Sequence, residues 1–301
     1  MVYNRSACLG ERAIEHFADR LLAACRAKRG PVCVGLDPVL ERLPDALRGD
    51  DAVAGIERFC LEVIDAVAGH VPCVKVQAAC FERYRGPGFE AMFRVLAAAQ
   101  QAGLVAVLDA KRGDIGISSG HYAAAFLGPD APADALTVHS YLGGDSLQPF
   151  IEAAAAHGRG LFPMVRTSNP GGEMLQALKL ADGRDISEAV ADMVAELGQG
   201  HVGPASGYSL VGAVVGATKP QAAAALRRRM ARQIFLVPGF GAQGGTPADV
   251  RACFHDDTTG ALVSASRSVL YAFENAPGDW RHAVANAARR FADEVAAAIT
   301  S

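Results

Sequence analysis

No apolar stretch in this chain of 301 residues reaches the roughly 18 residues of a membrane-spanning helix, so no membrane association is expected. A secretory leader is missing too. The opening MVYNRSACLGERAIEHFADRLLAACRAKRG is broken by charge every few residues, unlike a signal peptide, and a cytoplasmic protein is expected. Charge of neither sign dominates: 29 Lys and Arg face 32 Asp and Glu, a net of -3. That argues against a nucleic-acid partner bound through bulk positive charge, while leaving room for a local basic site for a small phosphate. The seven cysteines (8, 25, 33, 60, 73, 80 and 253) include no C-x-x-C pair and are odd in number. Several lie in apolar runs and read as buried, reduced thiols. The eight histidines show no H-x-x-H or H-x-x-x-H spacing, so no zinc site, and no metal, is expected. A dinucleotide-binding G-x-G-x-x-G turn is also lacking, since residues 35–40 after the first apolar run read GLDPVL.

What the chain has is 50% hydrophobic composition, enough for a large packed core. Residues 13–25 have the spacing of an amphipathic helix, with Ile14, Phe17, Leu21 and Leu22 on one side. Short apolar runs follow at 31–36, 72–77, 104–109, 134–139, 161–166, 210–216, 234–238 and 261–265. Continuous apolar runs of this length fit strands buried on both faces, as in a parallel sheet. Segments of helical period alternate with them, at 52–68, 89–102, 118–127, 147–156, 220–231, 246–253 and 282–299. Eight strand–helix units favour a closed (β/α)8 TIM barrel over an open sheet, here expected as a single domain over 1–301. The interval 167–209 is long, with a helix-like stretch at 186–197 and the Gly/Pro-rich GQGHVGPASGY. It reads as an elaborated loop over the barrel mouth after strand five.

In a barrel the active site lies at the carboxyl ends of the strands, so polar residues there are the candidates. Asp37 ends the first run, where a plain turn before Pro38 is the alternative reading. Lys75 stands between Val74 and Val76 and must be paired or face a polar cavity. The third run leads into LDAKRGDIGISSGHYA, residues 108–123. Asp109 and Lys111 are two apart and so point to one face of a strand, with Ala110 facing away. Gly113 and Gly116 flank Asp114 and permit tight turns. An Asp-Lys-Asp cluster can hold a lysine protonated for delivery to carbon, and it disfavours a bound carboxylate. Strand seven ends in VPGFGAQGGT (237–246) and strand eight in SASRS (264–268). Loops seven and eight are the recurrent phosphate site of this architecture. Glycines there let backbone N–H groups converge on an anion, Thr246 can start the next helix, and Arg267 can grip phosphate bidentately.

DAKRGDIG at 109–116 resembles the signature of the orotidine 5′-phosphate decarboxylases. The resemblance extends through VGLDP (34–38), VKVQAACFERYRGPG (74–88), YLGGDSLQPF (141–150), RTSNPGG (166–172), PGFGAQGG (238–245) and SRSVLYA (266–272), and is greatest to the longer-chain bacterial branch. It implies that Lys111 protonates C6 of the pyrimidine of orotidine 5′-phosphate. Asp109 and Asp114 would flank it, Asp114 coming from the neighbouring subunit of a homodimer with shared active sites. Lys75 and Asp37 would hold the charge network and the ribose hydroxyls. Ser168 would bond the pyrimidine, with Asn169 as a neighbour contact. Gln243 and Arg267 would bind the phosphate, Pro238 would line the site, and Ile115 and Ser266 would be further substrate contacts. Two departures stand out. Ser118 occupies the position of a ribose-binding threonine but keeps the hydroxyl, and His139-Ser140 replaces a common Asn-Pro pair at the end of strand four.

Such chemistry leaves an electron pair on C6 that the ring cannot delocalise. The chain shows no pyridoxal, thiamine or metal signature, so no cofactor is expected. A fixed ammonium would then stabilise the developing carbanion and supply the proton. Two other readings remain open: a Mg²⁺-dependent sugar-phosphate decarboxylase or aldolase on the same barrel, and an inactive barrel kept as a nucleotide-binding regulator. The RGDIG continuation weighs against the former, and the intact Asp109-Lys111-Asp114 set against the latter.

Overall fold

The computed structural model describes residues 14–217, 219–240 and 246–300. Eight parallel strands, β1 (Val32–Leu36), β2 (Cys73–Gln77), β3 (Val105–Arg112), β4 (Ala135–Val138), β5 (Gly160–Arg166), β6 (Ala213–Val215), β7 (Phe235–Pro238) and β8 (Ala261–Ala265), close into a barrel in sequence order. The ring closes because β8 pairs with β1, with Cys33 opposite Ser264. Every residue of β1, β4 and β8 is buried, as expected for strands packed by side chains inside and helices outside. The expected (β/α)8 TIM barrel is therefore the fold.

The helices form where the apolar period predicted them. The helix Ala52–Val67 starts at Asp51, whose carboxylate accepts from the N–H groups of Val53 and Ala54. Its buried positions Ile56, Phe59, Cys60, Val63, Ile64 and Val67 repeat at three- and four-residue spacing. Each large side chain so buried contributes about 1.5–3 kcal/mol. Phe59 stacks on Trp280, the first residue of the last helix (Trp280–Thr300), with ring centroids 5.3 Å apart. No helix among the described residues is long and apolar enough to cross a membrane.

The amino-terminal helix spans Phe17–Ala27 and covers the amino-terminal end of the barrel. Phe17 meets Phe162 of β5 edge-on, 5.9 Å between centroids. Gly160 makes room for it, because a Cβ there would fall 2.3 Å from the Phe17 ring. Arg20 donates to Asp134 (2.8 Å) and to the Gly158 carbonyl (2.9 Å), while Asp134 also accepts the N–H of Ala106 on β3 (2.8 Å). Of the apolar face expected here, Phe17, Leu21 and Leu22 are buried. Ile14 precedes the helix and is 64% exposed, so it does not belong to that face.

Two expectations need correction. Strand six is shorter than the run 210–216: Val211 makes only an isolated bridge to Leu161. At the intervening Gly212 a Cβ would meet the Phe162 ring and the Ile234 carbonyl at 2.6 Å. The interval after β5 also divides between the two ends of the barrel. Residues 167–185 belong to the mouth, and Ile186–Gly198 is the helix that packs on β5. Residues 199–209 feed β6 from its amino end. There the N–H groups of Ala205 and Ser206 bond Asp19, and His201 bonds His16. A segment that leads into a strand must lie at that strand's starting end, which is why this stretch is not part of the mouth.

Candidate active site

At the carboxyl ends of the strands a cleft of about 450 Å³ opens. Its floor is a charge network built from β2 and β3. Asp109, 8% exposed, is the centre. One carboxylate oxygen accepts from Lys111 Nζ (2.7 Å) and Thr137 Oγ1 (2.8 Å). The other accepts from Lys75 Nζ (2.9 Å) and Gln77 Nε2 (3.2 Å). Lys75 also stands 3.7 Å from Asp37 Oδ1 at the end of β1. Burial by itself would push the Asp109 carboxyl up. Lys75 and Lys111 outweigh it and hold the group below the usual carboxylate range. Burial likewise disfavours the Lys75 ammonium, yet Asp109 and Asp37 raise its pKa above the ordinary lysine value. The site therefore keeps a buried anion and a buried cation at neutral pH. Lys111, whose side chain is 40% exposed, reaches from this network into the cleft.

The backbone that delivers Lys111 is unusual. Its φ is +46°, in the left-handed region that side chains other than glycine rarely adopt. The β3–β4 register shifts between Leu108 and Arg112, and the Lys111 N–H is taken by Thr137 Oγ1 at 3.0 Å. A bulge thus aims the lysine. Ala110 packs on the core, as strand alternation predicts.

Around this floor, Ser168 and Asn169 follow β5, Pro238 ends β7, and Ser266 and Arg267 follow β8; all five line the cleft. Two glycines allow the close approach. A Cβ on Gly35 would stand 1.9 Å from Ser266 Oγ, and one on Gly216 would stand 2.9 Å from the Ser168 backbone. Arg166, 5% exposed, anchors the loop after β5 by donating to Glu173 (2.8 Å) and Ser187 (3.0 Å). Tyr271 accepts the N–H of Val39 (2.9 Å) and donates to the Asp37 carbonyl (3.0 Å), so it pins the loop that carries Asp37. Burial pushes its hydroxyl up to about 12, keeping it a donor. The guanidinium carbon of Arg42 lies over the Tyr271 ring, 3.7 Å from its centroid.

Of the residues singled out in the sequence, Asp37, Lys75, Asp109, Lys111, Ser168, Asn169, Pro238, Ser266 and Arg267 are brought together here. Asp114, Ile115 and Ser118 do not line this chain's cleft. Asp114 accepts the N–H of Ile115 (2.8 Å). Ile115 and Ile117 are 61% and 82% exposed, and Ser118 is exposed at the start of the helix Gly116–Leu127. Gln243, in the glycine-rich loop after β7, lies outside the described residues, whereas Thr246 starts the next helix by capping Asp249, as anticipated. Sequence reasoning missed Gln77 and Thr137. Their signal was the same as that of Lys75: a polar side chain inside or at the end of an apolar strand run.

A closed parallel barrel with two lysines around one ionised carboxylate at its mouth, and serine, asparagine and arginine on the facing loops, defines a (β/α)8-barrel enzyme for a small polar substrate. The pattern of the Orotidine 5′-phosphate decarboxylase / HUMPS family matches residues 30–276. The orotidine 5′-phosphate decarboxylase of Rhodopirellula baltica is 47% identical over 269 residues, covering 85% of this chain and 88% of its own. That of Streptomyces coelicolor is 40% identical over 296 residues, covering 96% and 100%. Among solved structures, the Leishmania donovani OMP decarboxylase superposes with a TM-score of 0.77 at 31% identity, covering 95% of this chain and all of that one. The chain belongs to the orotidine 5′-phosphate decarboxylase family and is a carboxy-lyase.

Proposed function

We propose that the protein converts orotidine 5′-phosphate to uridine 5′-phosphate and carbon dioxide, the last step in forming that nucleotide, without a cofactor and with Lys111 as the proton donor. The observation that carries this reading is the carboxylate of Asp109 held between Lys75 and Lys111, with the Lys111 ammonium directed into the cleft. As the bond from C6 to the carboxyl carbon breaks, carbon dioxide departs and the electron pair stays on C6. The Lys111 ammonium stabilises that charge and then gives C6 a proton, leaving a neutral amine that regains its proton from solvent. The barrel seats the substrate in the order its chemistry needs. Arg267 and Gln243 hold the phosphate, Asp37 and Lys75 the ribose hydroxyls, and Ser168 the base with Asn169 beside it, while Pro238 and Ser266 complete the walls. Gripping the distant phosphate supplies binding energy to the chemical step.

The same reading assigns Asp114, Ile115 and Ser118 to a partner's cleft in a homodimer. What supports this is the exposure of Ile115 and Ser118, together with Ile117, on one short segment that also carries the half-buried Asp114 and does not line this chain's own cleft. The deciding experiment is incubation of purified protein with orotidine 5′-phosphate, with and without EDTA, following the absorbance change to uridine 5′-phosphate. Turnover that survives EDTA supports the reading. Loss with EDTA and recovery with Mg²⁺ points to the metal-dependent barrel enzymes, and no turnover in either arm refutes it.

A further inference from the structure

Thr137 lies in the middle of β4, 1% exposed, in a stretch that otherwise reads Ala, Leu and Val. Its hydroxyl accepts the N–H of Lys111 at 3.0 Å and lies 2.8 Å from Asp109 Oδ1. A hydroxyl has one hydrogen. The peptide N–H can only donate, so the threonine hydrogen is free to go to the carboxylate, and Asp109 needs it there. This single side chain therefore touches both the left-handed backbone of Lys111, at φ +46°, and the anion that Lys111 binds. Left-handed geometry at a branched or long side chain is held only where its surroundings over-determine it, and the bond to Thr137 is such a constraint.

The hydroxyl also completes the carboxylate. Each oxygen of Asp109 receives two donors: Lys111 and Thr137 on one, Lys75 and Gln77 on the other. Thr137 and Lys111 share Oδ1, Lys111 gives that oxygen one of its three ammonium donors, and its side chain lines the cleft. We propose that Thr137 is a positioning residue for the reaction: its hydroxyl ties the Lys111 backbone to the Asp109 carboxylate and so fixes the direction from which the ammonium approaches the substrate carbon. The proposal rests on Lys111 being the proton donor.

The test compares wild type, Thr137→Val, Thr137→Ser and Lys111→Ala, each checked for folding by circular dichroism. Thr137→Val removes the hydroxyl at nearly constant shape. Turnover should fall by about ten- to a hundredfold, the effect of one hydrogen bond to a charged group felt in the transition state. Binding of uridine 5′-phosphate, measured by titration calorimetry, should stay within about twofold, because none of the base, ribose and phosphate contacts assigned above involves Thr137. Thr137→Ser should restore turnover to within about threefold of wild type. A merely structural threonine would lower stability, or weaken turnover and nucleotide binding together, without rescue by serine. If Thr137→Val does not fold, Thr137→Ala serves the same comparison. Full turnover in a folded variant lacking the hydroxyl overturns the proposal, provided that Lys111→Ala is inactive in the same assay. An active Lys111→Ala, or an inactive wild type, instead overturns the reading of the reaction on which it rests.

Discussion

Replacing Asp109 by asparagine keeps the shape of the side chain and removes its charge. In the folded protein this leaves Lys75, 6% exposed, without the counter-charge 2.9 Å away; only Asp37, at 3.7 Å, remains. An uncompensated buried charge costs about 3–5 kcal/mol. Partial compensation by Asp37 puts the expected loss near the lower end, about 3 kcal/mol. In domains of a few hundred residues each kcal/mol moves the melting temperature by roughly 2–4 °C, so Asp109→Asn should melt roughly 6–12 °C below wild type at neutral pH. The pH dependence follows from the direction of the shift. The folded carboxyl is held below its ordinary range, so its stabilisation is fully present above the unfolded value of about 4 and is lost as pH falls through the folded value. The gap between wild type and variant should be flat from about pH 5 to 7. Below about pH 4 it should narrow by roughly 1.4 kcal/mol per unit. Urea unfolding followed by circular dichroism at several pH values measures both quantities. A variant as stable as wild type at pH 7, or a gap that stays constant down to pH 3, would refute the claim that Asp109 is a buried anion sustained by its lysines.

Lys111→Ala should nearly abolish turnover yet keep much of the affinity for uridine 5′-phosphate, since the lysine is assigned to the chemical step; near-wild-type kcat would dismiss it as the donor. Arg267→Ala should lose far more efficiency with the nucleotide than with the phosphate-free nucleoside, by on the order of 2–4 kcal/mol, and equal losses on both would place the arginine outside the phosphate site. Mixing inactive Lys111→Ala and Asp114→Ala subunits should return activity toward about a quarter of wild type as dimers exchange, because one site of each mixed dimer is then intact. Demonstrated exchange without recovery means that Asp114 serves its own barrel.

The barrel was legible because its strands are buried on both faces and so appear as unbroken apolar runs punctuated by glycine, proline and charge. Legibility failed where tertiary contacts set the limits. β6 proper is only three residues, with Val211 held by an isolated bridge to Leu161, and where a ladder between two strands is interrupted leaves no trace in local pattern. The pairing of Asp109 with Lys111 was anticipated from strand alternation, but the strand is bulged and Lys111 left-handed. Asp109 and Lys111 still meet, and Thr137 takes up the displaced N–H. Asp37 and Arg267 could be placed because they follow strand ends, where a barrel collects its polar groups, Lys75 because it interrupts an apolar strand, and Ser168 only through the family resemblance. Gln77, Thr137 and Arg166 went unnoticed: each looks like an ordinary polar residue until the neighbouring strand or loop supplies its partner.

The way the two terminal helices are attached bears on where this protein can be cut. The first precedes the eight strand–helix repeats and the last completes the eighth, packing against the helices Ala52–Val67 and Pro247–Arg251, and a trimming that kept every residue lining the cleft could discard both. Yet Phe17, Leu21 and Leu22 cover the amino-terminal end of the barrel, and Phe291 of the last helix packs on Phe240 just after β7, 5.8 Å between ring centroids. Losing either helix would expose core side chains worth about 1.5–3 kcal/mol each, against a total stability of about 5–15 kcal/mol for an ordinary domain. The smallest catalytic unit and the smallest folding unit are therefore different lengths of chain, and the outer helices, which touch no substrate, set the longer one.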